Sequence, residues 1–233
     1  MSGKMVVISG FSGAGKGTVI SRMREKNEGY VLSVSMTTRK PRDYETNGVE
    51  YHFVSNEVFE ELIGQDGFME HAGYADHYYG TPKAFVFENM GAGRDVLLEI
   101  EVQGAMQIRD KYPGTPMIFI APPDAAELER RLTGRGTDQE ETVNKRLRQA
   151  VKEVDMIPEY DYLLINDDVD ACADSLNRII RMPEEAAASD GKTPNPAKGG
   201  EIITDAGKKK AFAEAFRAGL PAILQKRGIR CDG

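Results

Sequence analysis

The sequence predicts an α/β fold, an open parallel sheet of five strands with helices on its faces. Three observations predict it: five short apolar segments typical of buried strands, helical patterns between most of them, and a glycine-rich loop directly after the first segment. With 233 residues, the chain is long enough for one such domain with small insertions. The strands are expected around Met5–Ser9, Tyr30–Ser35, Val96–Ile100, Met117–Ile120 and Tyr162–Ile165.

Helical patterns separate most of these strands, as right-handed strand–helix–strand units require. They occur at Lys16–Lys26, Gln103–Lys111 and Asp170–Arg181, and as a pair within Ala125–Val154. Asp124, with Glu127 three residues later, has the pattern of an N-cap and its capping carboxylate.

Two insertions interrupt the alternation, and the first covers residues 36–90. It contains strand candidates at Tyr51–Val54 and Met69–Ala72 and a helix that begins after Ser55. Thr81 before Pro82 predicts another helix start, with Thr81 as N-cap and the proline at the first helical position. Gly91 is expected near the end of that helix.

The stretch GFSGAGKGT follows the first strand and predicts a phosphate-binding loop at the start of a helix. Its glycines let backbone N–H groups turn inward, and Lys16 would reach the β- and γ-phosphates of a nucleotide. Gly17 stands where such loops usually carry a Ser or Thr that binds Mg²⁺. The loop residues expected to bind ATP are Gly10, Phe11, Ser12, Gly13, Ala14, Gly15, Lys16, Gly17 and Thr18.

The ending GKGT resembles that of adenylate kinases, in which phosphate oxygens and water hold most of the Mg²⁺ coordination. We therefore expect Mg²⁺ to arrive with ATP and to have no firm direct protein ligand. Metal-independent phosphate binding is the alternative.

Bulk composition restricts the classes of function. A net charge of −7 argues against a general nucleic-acid-binding protein. Two distant cysteines argue against a disulfide framework or a Cys-based zinc site, which fits a cytoplasmic protein. The N-terminus has no secretory pattern, and no apolar run approaches membrane-spanning length.

The segment SVSMTTRKPR, residues 33–42, combines hydroxyl groups with two arginines that suit a phosphate. From here the chain resembles guanylate kinases over about residues 4–182. The motifs SVSMTTRKPR, EYHFV, FMEHA, YYGT, LLEIEVQGA, GRGT, NKRL and LINDD stand in the family's order and spacing. The resemblance implies a P-loop nucleoside monophosphate kinase fold with a small inserted α+β subdomain for GMP and a helical lid.

The resemblance also implies the reaction ATP + GMP → ADP + GDP in purine metabolism, and roles for individual residues. Lys16, Arg42, Arg135 and Arg146 would be catalytic, Arg131, Arg135 and Asn166 would join the ATP site, and Glu101 is a candidate for reaching the metal through water. The GMP site would consist of Ser35, Arg39, Arg42, Glu45, Tyr51, Glu70, Tyr79, Thr81 and Glu99.

The arginine-rich second insertion, residues 125–154, suits a mobile lid that clamps the transferring phosphoryl group and excludes water. Gly134 and Gly136 flank Arg135 as hinges would. One departure from the family concerns Glu99 and Glu101, where many members have aspartates. Two carboxylates on one face of an apolar strand would bury unpaired charge if no ligand met them, which favours a functional role for this pair.

Two alternative functions remain at this point: a phosphopeptide-binding module of guanylate-kinase type, and a P-loop kinase of a ribose bisphosphate. An intact phosphate loop argues against the first, and the guanine-reading residues against the second.

The expected organisation is a kinase-like domain at 1–182 (core 1–35, 91–124 and 155–182), a flexible linker at 183–201 and an amphipathic helical extension at 202–233. The extension would pack on its own domain or on a second copy of the chain, so a homo-oligomer is left open. Pro221 is expected to end or kink its helix.

Overall fold

A computed structural model describes residues 2–74, 76–134, 140–182 and 200–229. The chain divides into two compact units. The first contains Met1–Val7 and Gly29–Pro116, and the second contains Ile8–Glu28 and Met117–Gly233. Strand β1 (Met5–Gly10) belongs to both units, because the boundary follows Val7.

The elements of the first unit after β1 are, in chain order, β2 (Tyr30–Leu32), β3 (Met36–Thr37), β4 (His52–Phe53), α2 (Asn56–Gly64), β5 (Phe68–Tyr74), β6 (His77–Pro82), α3 (Lys83–Gly91), β7 (Asp95–Glu99) and α4 (Val102–Lys111). One sheet of this unit has the strand order β1-β7-β2. Strands β2 and β7 pair in parallel, with Tyr30 opposite Asp95. The interior positions of β7 are fully buried aliphatic residues, as a strand covered on both faces requires.

A second, four-stranded sheet of this unit has the order β4-β3-β6-β5 and lies within the first predicted insertion. Helix α2 begins after Ser55, whose hydroxyl accepts the N–H of Val58, as the sequence predicted. The rings of Phe59 and Phe68 stack at 4.4 Å and form the small core that holds α2 on β5.

The elements of the second unit after β1 are α1 (Lys16–Lys26), β8 (Met117–Ala121), α5 (Ala125–Thr133), α6 (Glu140–Glu153), a 3₁₀ helix (Val154–Glu159), β9 (Tyr162–Ile165), α7 (Val169–Arg181), β10 (Ile202–Ile203) and α8 (Ala206–Lys226). The unit carries the strand order β10-β9-β8-β1, and β8 and β9 pair in parallel. Helix α1 packs against α7, which packs on β9.

The C-terminal residues add a strand and a long helix to this unit. Strand β10 pairs antiparallel with β9, with Ile202 opposite Leu164, so the tail extends a sheet that the sequence predicted to be wholly parallel. Helix α8 packs on α5, α6 and the 3₁₀ helix. Residues 183–199, most of the predicted linker, lie outside the described residues, and the proposed domain boundaries stay a prediction.

All five predicted core strands are present, and the fold is confirmed. The N-cap at Thr81 is wrong: Thr81 lies within β6, and α3 has Pro82 as its N-cap without a side-chain cap bond. Asp124 caps α5 as predicted, but the carboxylate of Glu127 pairs with arginines on its own helix instead of capping it. Pro221 does not end α8, which continues to Lys226, and the kink expected as the other outcome stays a prediction.

None of the helices in the described ranges combines the length and apolar composition that crossing a membrane requires.

Candidate functional site

A pocket in the first unit collects most of the residues that the sequence assigned to GMP. The carboxyl end of β7, the start of α4 and strands β5 and β6 form its walls. This is the end of a parallel strand where ligands of open α/β sheets usually bind. Its lining residues are Ser35, Tyr51, Glu70, Ala72, Tyr79, Gly80, Glu99, Ile100, Glu101, Gln103 and Gly104.

Glu70 is the most deeply buried acid of this pocket, with 5% of its surface exposed. Burial raises the pKa of its carboxyl above the ordinary value of 4.5, and hydrogen bonds from Thr81 oppose that rise. The hydroxyl of Thr81 donates to Glu70 Oε1 at 2.6 Å. Thr81 is itself fully buried, so the structure connects it to the pocket through Glu70 rather than as a lining residue.

Gly104, on the buried face of α4, makes room for this carboxylate. A Cβ at position 104 would lie 2.3 Å from Glu70 Oε2. Contacts that short do not occur, so any larger residue would force Glu70 out of its present position. Glycine is thus required here by close approach.

We expect Gly104→Ala to lower kcat/KM for GMP by about tenfold or more, a loss equal to one charged hydrogen bond, because Glu70 must rotate away. The helix itself should tolerate alanine, which is the better helix former. Gly64→Ala is the matched control, since position 64 ends α2 and has no atom within 4 Å of the added Cβ. Steady-state kinetics with GMP as the varied substrate measures the effect. An unchanged kcat/KM in Gly104→Ala would show that the position of Glu70 is unimportant.

An arginine in a fixed orientation occupies another part of the same unit. Arg39 donates through NH1 and NH2 to the two carboxylate oxygens of Glu45, at 2.9 and 2.8 Å. The side chain of Glu45 is 4% exposed, and its bond with Arg39 lowers its pKa to about 2. The Arg39 guanidinium also lies 5.5 Å from the ring centre of Tyr51, whose ring contacts that of Tyr79. This arrangement presets a cation and phenol groups for an anionic ligand.

Arg42 lies at the exposed edge of this cluster. Its side chain is 60% exposed, donates to the hydroxyl of Tyr44 at 2.9 Å, and has NH1 3.8 Å from Glu45 Oε1. The backbone N–H of Arg42 also donates to Glu45, which fixes the loop.

The Glu99 and Glu101 pair differs from the expectation of two carboxylates on one buried strand face. Glu99 is the last residue of β7 and is half-buried, whereas Glu101 is exposed and forms the N-cap position of α4. Both line the pocket, so the structure brings them together without burying unpaired charge.

The phosphate loop of the second unit joins β1 to α1. Gly13 and Gly15 have φ of +91° and +88°, values that point successive N–H groups inward and that favour glycine. Phe11 and Ala14 are buried, so only their backbones face the loop interior. The ammonium group of Lys16 donates to the carbonyls of Gly10 and Phe11 at 2.7 and 3.3 Å.

Asn166 is 2% exposed and fixes this loop from behind. Its Nδ2 donates to the carbonyl of Ala14 at 2.7 Å, and a Cβ on Gly15 would lie 2.6 Å from that atom. The predicted neighbour of the adenine is therefore also a structural partner of the loop. It lines a second pocket, together with Gly13, Gly15, Thr18, Arg130, Arg131, Gly134, Asp167 and Val169.

Arg131 is held in place by three acceptors around this pocket. It donates to Glu127 at 2.6 Å, to the carbonyl of Asn166 at 2.7 Å and to that of Ala14 at 3.3 Å. Bonds from Arg130 and Arg131 lower the pKa of Glu127 to about 2. Arg146 lies half-buried on α6. Arg135 lies outside the described residues.

The donor set of the second unit suits a metal that is bound to its nucleotide. Gly17 supplies no hydroxyl, Thr18 is exposed on α1, and the described residues contain no group of three or more His, Cys, Asp or Glu side chains suited to a metal ion. Mg²⁺ takes most of its ligands from phosphates and water in such sites, and this chain fits that pattern.

A family model for guanylate kinase matches residues 2–183. The chain belongs to the guanylate kinase family. The guanylate kinase of Latilactobacillus sakei is 50% identical over 179 residues, which cover 76% of this chain and 88% of the relative. That of Caldanaerobacter subterraneus is 47% identical over 178 residues, covering 76% and 86%.

The fold leads to the same family. The crystal structure of guanylate kinase from Anaplasma phagocytophilum superposes with a TM-score of 0.64 and 31% identity. The superposition covers 81% of this chain and 88% of the Anaplasma phagocytophilum chain. Helix α8 lies beyond the residues that the family model matches.

Sequence reasoning missed several residues of the two pockets. Gly104 and Gln103 belong to the motif LLEIEVQGA, but the sequence of this motif does not indicate that Gly104 faces Glu70. Arg130 and Asp167 line the second pocket beside residues that were predicted. Their proximity depends on how α5 and the segment after β9 approach the phosphate loop, which no local pattern encodes.

Proposed function

We propose that this chain transfers the γ-phosphoryl group of MgATP to GMP, giving ADP and GDP in purine nucleotide metabolism. An oxygen of the GMP phosphate attacks the γ-phosphorus in line, and ADP leaves with its bridging oxygen. The observation that carries the proposal lies in the first unit, where the pocket holds the buried carboxylate of Glu70 and its lining residue Tyr51 contacts the oriented Arg39 of the Arg39–Glu45 pair. A base rich in N–H donors and a phosphate suit these two features.

In the acceptor site we assign the phosphate to Arg39, Arg42, Tyr51 and Tyr79. Glu45 orients Arg39 so that its remaining donors face the ligand. Arg42 is exposed and now contacts Tyr44 and Glu45, so it would turn to the phosphate only when GMP binds.

The guanine base would be read by carboxylates and hydroxyl groups. Glu70 and Glu99 would accept hydrogen bonds from N1–H and the 2-amino group, and the Ser35 hydroxyl would donate to O6. Thr81 would act chiefly by holding the Glu70 carboxylate ionised and in position. A buried carboxylate that lacks its donors is costly, which is the physical basis for rejecting other bases.

In the donor site the backbone of the phosphate loop would hold the ATP phosphates and Lys16 would neutralise their charge. Lys16 now donates to loop carbonyls, which keep its ammonium group at the rim of the loop until phosphate oxygens replace them. Arg131, Arg135 and Arg146 would stabilise the charge on the transferring group. Mg²⁺ would enter as part of MgATP, and Glu101 is our candidate for contacting it through water.

The two alternative functions are less well supported. A phosphopeptide-binding module has no use for a phosphate loop with an ordered lysine. A ribose bisphosphate has no base to satisfy Glu70. We also propose that the chain acts in the cytoplasm without a nucleic-acid or membrane partner.

The proposal is tested by acceptor specificity. ADP formation is measured with GMP, AMP, CMP, UMP and a ribose bisphosphate at equal concentration. We expect kcat/KM for GMP to exceed that for the other acceptors by about 10⁴-fold, as hydrogen-bonding sites achieve. Comparable rates with AMP, or a preference for the ribose bisphosphate, would overturn it.

A pH profile tests the role of Thr81. Because Glu70 can accept both hydrogen bonds from the base only when it is ionised, kcat/KM for GMP should fall as pH drops through the raised pKa of Glu70. The Thr81 bond favours the ionised form, so Thr81→Val should move this acid limb to higher pH. The phosphate of GMP titrates at about pH 6 in the assays of wild type and of Thr81→Val alike, so it does not contribute to the shift between their pH profiles.

The control is Thr115→Val, which removes a hydroxyl that, in the described part of the chain, is bonded to the Tyr112 carbonyl alone. It should leave the acid limb in place. An unshifted profile in Thr81→Val would mean that Glu70 does not control the acid limb.

A further inference from the structure

Helix α8 is firmly attached to the unit that carries the phosphate loop. Lys209 is buried, and its ammonium group donates to the carbonyls of Tyr160 and Asp161. Leu220 and Leu224 are 1% exposed, and β10 pairs with β9 just before the helix. Satisfying a buried cation and burying this much apolar surface fix the helix in register.

An aromatic contact connects α8 to the phosphate loop. Phe216 is 2% exposed, and its ring stacks on that of Phe11 with centroids 4.6 Å apart and planes at 17°. Phe11 in turn packs edge-on against Phe119 of β8, at 5.0 Å. The second residue of the loop is therefore packed between a sheet residue and a tail residue. Because protein interiors are close-packed, a change of the Phe216 ring is expected to shift Phe11 and the loop backbone that carries it.

The other end of α8 contacts the helices that carry two of the ATP-site arginines. Arg227 donates through Nε to Asn144 Oδ1 at 2.9 Å and through NH1 to Glu129 Oε1 at 3.3 Å. Its NH2 lies 3.8 Å from Glu140 Oε1. Glu129 belongs to α5, whereas Asn144 and Glu140 belong to α6. The side chains of Arg227 and Glu129 are only 14% and 17% exposed, so the bond between them is shielded from water.

Since α5 carries Arg131 and α6 carries Arg146, the fork of Arg227 sets the spacing between the two helices on which these arginines lie. We propose that α8 is a positioning element of the ATP site, acting through Phe216 on the phosphate loop and through Arg227 on α5 and α6. This inference rests on the proposed function, since it assumes that these groups bind ATP. It gives a catalytic purpose to a segment outside the family match.

The first test replaces the ring that supports the loop. Phe216→Leu keeps an apolar side chain but loses the stack, and Phe212→Leu is its control, since Phe212 is half-buried and contacts Phe216 but not Phe11. We expect Phe216→Leu to weaken binding of a non-hydrolysable ATP analogue by about two- to tenfold, the range of one aromatic pair. The affinity for GMP should stay unchanged. If Phe216→Leu does not fold, Phe216→Met supplies the same comparison.

The second test uses Arg227, the C-cap residue of α8, and Arg217 within the helix. Arg227→Gln removes the guanidinium contacts to α5 and α6. Arg217→Gln removes the ion pair between Arg217, which is 51% exposed, and Asp155. Arg227→Gln should lower kcat about fivefold and raise KM for ATP, with KM for GMP unchanged. Arg217→Gln should change none of these.

All variants are compared at a temperature at which circular dichroism shows them folded. Equal ATP-analogue affinities and kinetic constants, with only a lower Tm, would make α8 a purely stabilising helix and overturn the inference. Equal losses for ATP and GMP would overturn it too. Failure of the proposed function looks different, because the wild type would then bind the ATP analogue but not phosphorylate GMP.

Discussion

Lys16→Ala is expected to abolish most GMP phosphorylation, lowering kcat by about 100- to 1,000-fold, the usual cost of losing one preorganised partner of a charged transition state. The ammonium group lies at the rim of the phosphate loop, 2.7 Å from the carbonyl of Gly10. The next lysine of the same helix, Lys26, is ten residues later and pairs with Asp170 and Asp174 on the surface, so it is not placed to replace Lys16. Steady-state kinetics at saturating ATP and GMP measures the change.

Lys26→Ala is the control, since it removes a lysine from the same helix without touching the loop. It should leave kcat within twofold, as exposed ion pairs contribute about 1 kcal/mol or less to stability. If Lys16→Ala keeps a near-normal rate in a folded protein, the loop does not act on the transferring phosphoryl group.

Glu70→Gln should lower kcat/KM for GMP by about 100-fold or more, because two hydrogen bonds to a buried charged acceptor are weakened at once. The amide keeps the shape of the side chain, but it turns one acceptor oxygen into a donor that faces the N–H groups of the base. Thr81 can still donate to the remaining oxygen, so the fold should persist. The KM for ATP should not change, which separates this effect from a general loss of activity.

Glu61→Gln in α2 is the matched control, because Glu61 is bonded only to the exposed Gln65 side chain in the residues that the structure describes. It should behave as wild type. Equal kcat/KM for GMP in Glu70→Gln would remove Glu70 from guanine recognition and leave the pocket without its principal discriminating group.

Much of the fold follows from local sequence. The apolar strand segments and the order of strand, loop and helix around Gly10–Thr18 are written in short stretches of chain, and the structure has them all. The helix start at Thr81 was wrong because Thr-Pro reads identically before a helix and at a strand end. The antiparallel strand at Ile202 was missed because two residues carry no periodicity.

The candidate site divides in the same way. Residues with distinctive chemistry, such as Lys16, Arg39 and Glu70, could be predicted from motif and residue type. Gly104 and Asn166 act through close approach. A Cβ added at Gly104 would lie 2.3 Å from Glu70 Oε2, and Asn166 Nδ2 lies 2.7 Å from the carbonyl of Ala14. Such distances arise only in the folded chain. The contacts of Phe216 and Arg227 join segments more than 80 residues apart, which no local pattern specifies.

The most direct test of the account follows the phosphorus atom itself. ATP labelled at its γ-phosphorus is incubated with the protein, Mg²⁺ and GMP, and the products are separated. We predict that the label appears in the β-phosphate of GDP, in an amount equal to the ADP formed and with no inorganic phosphate above background. Label in inorganic phosphate while GMP stays unchanged would contradict phosphoryl transfer to GMP.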